Sequence, residues 1–175
     1  MQSEKDCPVL RGEKLYVPFV GAIIERKGPN GQRQILIQTR VKESDSSYSG
    51  RLEIPSGKMQ AFEDVYDTIK REVLEETGLK IISVIGKNQR VDHSSQGVIS
   101  SIIEPFCVTQ MQDGPFVGLI FLCEAIGEPK PQTEEAKDAT WMDIQELQSV
   151  ILSNPERIYT AFLAPLQLYI QSFEL

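Results

Sequence analysis

Residues 57–79 read GKMQAFEDVYDTIKREVLEETGL, and they decide both the local structure and the chemistry of the chain. Val65, Ile69, Val73 and Leu74 recur at helical spacing, which predicts a helix from Glu63 to Thr77 with one inward face. Glu63 and Asp64 suit the positive end of its dipole, and Gly78 stands where a left-handed C-cap ends it. Glu72, Glu75 and Glu76 lie at i, i+3 and i+4 beside Arg71, so they share a face and repel one another. A divalent cation removes that conflict. Oxygen-rich sites suit hard cations such as Mg²⁺, which commonly accompany phosphate-bearing substrates.

A glutamate-rich helical face is most often simply solvated. What favours a metal site here is the register of four further residues, Gly57, Glu63, Arg71 and Gly78, with the triplet. Together with Val73 and Leu79 they fit the pattern G-x5-E-x7-R-E-U-x-E-E-x-G-U, U being aliphatic, at every fixed position. The segment resembles the Nudix box of the Nudix hydrolases.

The resemblance implies hydrolysis of a phosphoanhydride with Mg²⁺ or Mn²⁺. It implies Glu72 and Glu76 as principal metal ligands, Glu75 as a further ligand or water-mediated contact, and a backbone carbonyl at Ser56 or Gly57 completing the set. Arg71 would orient a glutamate of the catalytic helix, and Glu63 would fix Arg71 or the loop. Family members differ in their general base: some use a helix glutamate and others one from a loop before the last strand, which here holds Glu134 and Glu135. Both are equally readable as solvated loop residues.

Ile54-Pro55-Ser56-Gly57-Lys58 is more similar to the lead-in of ADP-ribose and nucleotide-sugar pyrophosphatases than to that of many nucleoside-triphosphate members. The downstream proline of the ADP-ribose group is missing; Ser94 and Ser95 stand in that region. Gln60 and Phe62 fill free box positions where many relatives have Glu and Gly, altering the loop's charge and flexibility. Arg51, Glu53, Phe19 and Phe116, beside expected strand ends, are candidates for base or sugar recognition, each also readable as packing or surface.

The leading expectation is a metal-dependent hydrolase of a nucleoside diphosphate linked to another moiety, ADP-ribose or a nucleotide sugar. A nucleoside-triphosphate pyrophosphohydrolase is the alternative within the class, and a non-hydrolytic nucleotide-binding regulator the alternative outside it. Isoprenoid diphosphate isomerisation would need more histidine ligands than the single His93, to which no role is assigned.

At 175 residues and 41% hydrophobic, residues 1–175 are expected to form one domain. A formal charge of −7 argues against binding a nucleic-acid backbone or an anionic membrane, while small anions remain possible through a metal; a small-molecule nucleotide partner is what the resemblance implies. Cys7, Cys107 and Cys123 show no CxxC spacing, so neither a disulfide framework nor a zinc cage is expected. Cys107 and Cys123 read as buried small hydrophobes. Met1 to Asp6 lacks the order of a signal peptide and no apolar run is long enough to span a membrane, so the cytoplasm is the simplest address.

Outside the box, a strand is expected over Lys14 to Arg26, beginning after Pro18 or lying at an edge, followed by a Gly28-Pro29-Asn30-Gly31 turn and a strand over Gln34 to Thr39. Ser44 to Gly50 reads as a loop and Arg51 to Ile54 as a short strand. Further strands are expected over Leu79–Val91, Gly97–Thr109 and Phe116–Glu124, and a helix near Asp143. Pro155 to Phe173 suits an amphipathic helix, kinked at Pro165, that closes the core or else serves a homodimer. These elements predict an α/β fold without regular βαβ alternation. The resemblance specifies it further as a Nudix-type α/β/α sandwich with a mixed central sheet.

Overall fold

The strand β3 (Val17–Lys27) buries Val20, Ala22 and Ile24 on one face and Phe19 and Ile23 on the other, so the sheet around it must be covered on both sides. The computed structural model describes residues 8–41, 48–85, 90–112, 114–130 and 136–173. In chain order, a small ribbon of β1 (Val9–Leu10) and β2 (Glu13–Lys14) leads into β3, β4 (Arg33–Arg40), β5 (Leu52–Glu53) and β6 (Ser56–Lys58). Then come α1 (Val65–Thr77), β7 (Lys80–Val84), β8 (Val91–Ser95), β9 (Val98–Ile102), β10 (Cys107–Met111), β11 (Phe116–Ile126) and β12 (Ala136–Asp143). The chain closes with α2 (Ile144–Ser153), a 3-10 turn at Pro155–Arg157 and α3 (Thr160–Gln171).

The main sheet runs β10-β11-β3-β4-β12, with β5 on β4, β6 on β3 and β7 on β11. Among the described strand pairs of this sheet β11 and β3 run parallel and the others antiparallel, which makes the sheet mixed as expected. On one face, α1 packs Val65, Tyr66, Ile69 and Val73 against Val20, Leu36 and Phe121. On the other, α2 and α3 bring Leu147, Phe162, Leu166 and Tyr169 against Ile23, Ile35, Ile37 and Ile120. The result is helix, sheet, helix.

Several expectations change. Pro18 lies inside β3, a central strand: it sits opposite Val117 in the parallel pairing, and its carbonyl accepts from the Met59 amide. The expected strand over Gly97–Thr109 is two: β9 forms a hairpin with β8, and Pro105 lies in the break before β10. The residues of that hairpin are exposed throughout, so its apolar residues mark no core. The expected strand from Leu79 stops at Val84, and part of the charged stretch before Trp141 is itself strand, β12 starting at Ala136. Leu74, counted on the inward face of the helix, is 52% exposed, and Glu76 takes the buried position instead. Cys123 is buried, which pushes its thiol up to about 12, whereas Cys107 is only half-buried; Cys7 lies outside the described residues. No helix among the described residues is long and apolar enough to cross a membrane.

The C-terminal segment closes the core. Phe162 is 1% exposed and stands edge-on to Phe19 and Tyr159, with ring centroids 5.9 and 5.7 Å away. Truncating so buried an aromatic removes its transfer free energy and leaves a cavity. Phe162→Ala should therefore lose about 3–5 kcal/mol of unfolding free energy in urea titrations. A loss under about 1 kcal/mol, within the range of a surface change, would show that α3 is not part of the core.

Candidate functional site

The helix α1 begins two residues later than expected, at Val65, with Asp64 as its cap and Glu63 in the turn before it. The Asp64 carboxylate accepts the Tyr66 amide at 2.9 Å, a side-chain N-cap, and Gly78 at φ 75° ends the helix in the left-handed region open to glycine. Ahead of it, the Glu63 amide donates to the Gln60 carbonyl at 3.2 Å, closing a turn whose third residue, Phe62, has φ 68°. A bulky residue in that region is strained by about 1–3 kcal/mol.

This turn delivers Glu63 to Arg71. The Arg71 Nε and Nη2 donate to the two Glu63 oxygens at 2.8 and 2.9 Å, a bidentate pair, while the Thr68 hydroxyl donates to Glu63 at 2.9 Å. The hydrogen bonds from Arg71 hold the Glu63 carboxyl down at about 2, and Glu63 in turn raises the Arg71 guanidinium further. The remaining Arg71 nitrogen, Nη1, reaches Glu72 at 2.7 Å and Glu75 at 3.2 Å. One cation thus holds three carboxylates.

Glu76 is held from the sheet. Its Oε2 accepts the Ser56 amide at 2.9 Å and the Gln38 Nε2 at 2.8 Å, and the residue is 6% exposed. Glu75, by contrast, has a side chain 60% exposed, and Glu72 lies between them at 14%. Gly57 lies against Glu72: a Cβ there would fall 1.8 Å from the carboxyl carbon, so only glycine admits the carboxylate to this position.

In kind, these residues fit a hard divalent cation, since all the donors are oxygens and Gly57 leaves the cradle that Glu72 fills. Gln38 adds a buried Oε1 without a hydrogen-bond partner beside Glu76. As arranged, no three His, Cys, Asp or Glu side chains among the described residues are grouped as a ready-made ligand set.

The other expected site residues are scattered. Glu53 is 1% exposed and accepts from Arg40 at 2.9 Å, with the Arg40 guanidinium 4.3 Å from the Tyr159 ring centroid. Arg51 lies 4.8 Å from the Tyr48 ring and bonds the Thr160 hydroxyl. Phe19 is core, Phe116 is half-buried, and Glu134 and Glu135 lie outside the described residues. Sequence reasoning missed Gln38, opposite Glu53 on β4, and Arg90, which ties Asp64 to Asp92 and Ser101 of the hairpin. The signal for Gln38 was a polar residue following the apolar run Ile35-Leu36-Ile37.

Residues 16–162 match the NUDIX domain family model, and the chain belongs to that family. It is 24% identical over 120 residues to an ADP-ribose pyrophosphatase of Methanocaldococcus jannaschii, a match covering 67% of this chain and 61% of the relative, and so less than two thirds of that protein. It is 25% identical over 121 residues to an RNA pyrophosphohydrolase of Bartonella tribocorum, covering 66% of this chain and 70% of the relative. The fold is shared with the NUDIX domain of Shewanella oneidensis NrtR, solved with ADP ribose, at a TM-score of 0.58 and 16% identity over 94% of this chain and 90% of that one.

The depressed Glu63 carboxyl has a thermodynamic consequence. A carboxylate lowered from 4.5 to about 2 contributes stability that is complete above pH 4.5 and lost as the pH falls towards 2. Glu63→Gln should be less stable than the parent at neutral pH, and the deficit should shrink through that window. Urea unfolding over a pH series checks this; a deficit independent of pH would mean that the Arg71 pairing does not couple to folding.

Proposed function

We propose that residues 1–175 form one Nudix hydrolase domain that cleaves the phosphoanhydride of a nucleoside diphosphate joined to another moiety, with ADP-ribose or a nucleotide sugar favoured. The observation that carries this is the Arg71 clamp on Glu63, Glu72 and Glu75, set beside a buried, doubly hydrogen-bonded Glu76. A merely solvated acidic face has no need of it. The archaeal relative named as an ADP-ribose pyrophosphatase supports the substrate class.

Glu72, Glu75 and Glu76, with the Ser56 or Gly57 carbonyl, would hold Mg²⁺ or Mn²⁺. When bound, the metal supplies charge neutralisation of the nonbridging oxygens and a polarised water. The chain does the rest. Glu76 stays fixed by Ser56 and Gln38, while Arg71, itself fixed by Glu63, sets where Glu72 and Glu75 point. Glu75, the most exposed of Glu72, Glu75 and Glu76, would take the proton of the attacking water as its oxygen bonds to phosphorus and the P–O bond to the leaving phosphate breaks. Glu135 is the alternative base. Arg51 and Glu53 are assigned to the substrate end, where Arg51 is accessible and Glu53 acts through Arg40.

The relative named as an RNA pyrophosphohydrolase favours a second reading, removal of pyrophosphate from a triphosphate. A panel of ADP-ribose, nucleotide sugars, nucleoside triphosphates and 5′-triphosphorylated RNA with Mg²⁺ decides between them by the phosphate-bearing products released. Nucleotide binding without turnover across the panel would favour a non-hydrolytic nucleotide-binding regulator.

Glu76→Gln should lower kcat by at least about 100-fold while leaving the fold intact, since even partners that only orient a metal ligand are worth 10–100-fold. Unchanged turnover would remove Glu76 from the site. Independently of activity, Mg²⁺ at about 100 times its dissociation constant should add roughly 2.7 kcal/mol to the stability of the parent. The gain should be largely missing in Glu72→Gln and Glu76→Gln.

A further inference from the structure

Gln38 is fully buried, at 0% exposed, and follows Ile35, Leu36 and Ile37, which are buried to the same degree, on the core strand β4. A buried amide is tolerated where both of its ends are hydrogen-bonded. Only one end is. The Gln38 Nε2 donates to Glu76 Oε2 at 2.8 Å, whereas its Oε1 has no hydrogen-bond partner among the described residues. Turning the amide over does not help: Glu76 Oε2 already accepts the Ser56 amide, and an amide oxygen facing it would set acceptor against acceptor.

The surroundings of that oxygen limit what it serves. Leu36, two residues earlier, packs under α1, so Gln38 rises from the sheet on the same side and meets the last turn of the helix at Glu76. Glu76 is one of the glutamates proposed to hold the cation, and Ser56, which shares Glu76 Oε2 with Gln38, lies in the loop proposed to add a backbone carbonyl. Folding does not account for the amide, because an apolar residue such as the neighbouring Ile37 would fill the position and leave no polar atom unpaired. The oxygen calls for a donor from outside the described chain. Mg²⁺ held by a few carboxylates keeps several of its waters, and a water on a cation is a polarised donor. A neutral amide oxygen accepts from it without adding a further negative charge to the site.

We propose that Gln38 is a positioning residue of the metal site, its Nε2 holding Glu76 and its Oε1 accepting a hydrogen bond from a water carried by the cation. The proposal rests on the metal-dependent hydrolase reading and extends the site from α1 onto β4. It explains why a polar side chain stands in the most deeply buried stretch of that strand.

The test uses the full chain without substrate. Gln38→Met keeps the length of the side chain and removes both polar ends. It should bind Mn²⁺, followed through the electron paramagnetic resonance signal of the free ion, at least about tenfold more weakly than the parent. In the ¹³C-labelled parent, the Gln38 Cδ resonance, assigned through its own backbone, should move on adding Mg²⁺ as the oxygen gains its hydrogen bond. The Gln34 Cδ resonance is the control on the same strand: that amide is already paired at both ends, with Arg26 and Asp143, and should stay in place.

If the parent binds neither Mn²⁺ nor Mg²⁺, the metal-dependent reading itself fails and takes this proposal with it. If the parent binds and Gln38→Met binds as tightly, the proposal alone is overturned. A Gln38 Cδ resonance that bound Mg²⁺ leaves in place would mean that the residue only holds Glu76, or that an internal water already serves Oε1. That would overturn the role of the oxygen whatever Gln38→Met does, and it is read in the parent, so it stands even where the variant does not fold.

Discussion

The guanidinium of Arg71 is the charge on which the acidic face of α1 depends. Like charges at i, i+3 and i+4 repel by a few tenths of a kcal/mol per pair, which a surface helix tolerates only with counter-charges nearby. Arg71 supplies the counter-charge in graded form: two nitrogens on Glu63, and one shared between Glu72 and Glu75. Charge-assisted hydrogen bonds are stronger than neutral ones, and the paired geometry to Glu63 fixes the guanidinium in the orientation that presents Nη1 to the triplet. The contact to Glu75, whose side chain is 60% exposed, is screened and worth little. Strength therefore lies at Glu63 and freedom at Glu75.

The sheet fixes the same face from the other side. β6 pairs with β3 so that Ser56 lies opposite Gly21 and Gly57 opposite Val20. This places the Ser56 amide on Glu76 and the bare Gly57 Cα against Glu72. A buried carboxylate is tolerated only when hydrogen-bonded, and Ser56 together with Gln38 meets that requirement for Glu76. The loop thus sets one glutamate through Arg71 and the sheet sets another through backbone pairing, which is why the box needs both the arginine and the first glycine.

The parts of this arrangement that were legible in the sequence are those encoded within a few residues of one another. The Gly78 stop and the glutamate triplet are local, and so is the Gly28–Gly31 turn between β3 and β4, whereas the helix starts at Val65 with Asp64 as its cap and not at Glu63. What could not be read depends on distant pairing. Gln38 is an ordinary strand residue until α1 lies over it, and Leu74 looks apolar-periodic until Glu76 proves to have partners in the sheet. Pro18 is expected before the strand or at an edge because it has no amide hydrogen to give to a ladder. In β3, Pro18 contributes its carbonyl instead, to Met59. The break at Pro105 separates an exposed hairpin from the edge strand of the main sheet, which composition alone cannot tell apart.

The charge balance also bears on how a substrate reaches this site. Four carboxylates against one guanidinium leave a negative region on a chain of net charge −7, and a diphosphate is itself an anion. Two like charges about 4 Å apart at an effective dielectric near 20 repel by about 4 kcal/mol, close to a thousandfold in affinity. For the proposed substrate, neutralising cations are therefore needed for binding at all, before any bond is strained. The gradient of exposure from Glu76 through Glu72 to Glu75 suits that order of events: the buried carboxylate stays fixed by its hydrogen bonds, while Glu75, the most exposed of the three, exchanges Arg71 for an incoming charge at little energetic cost.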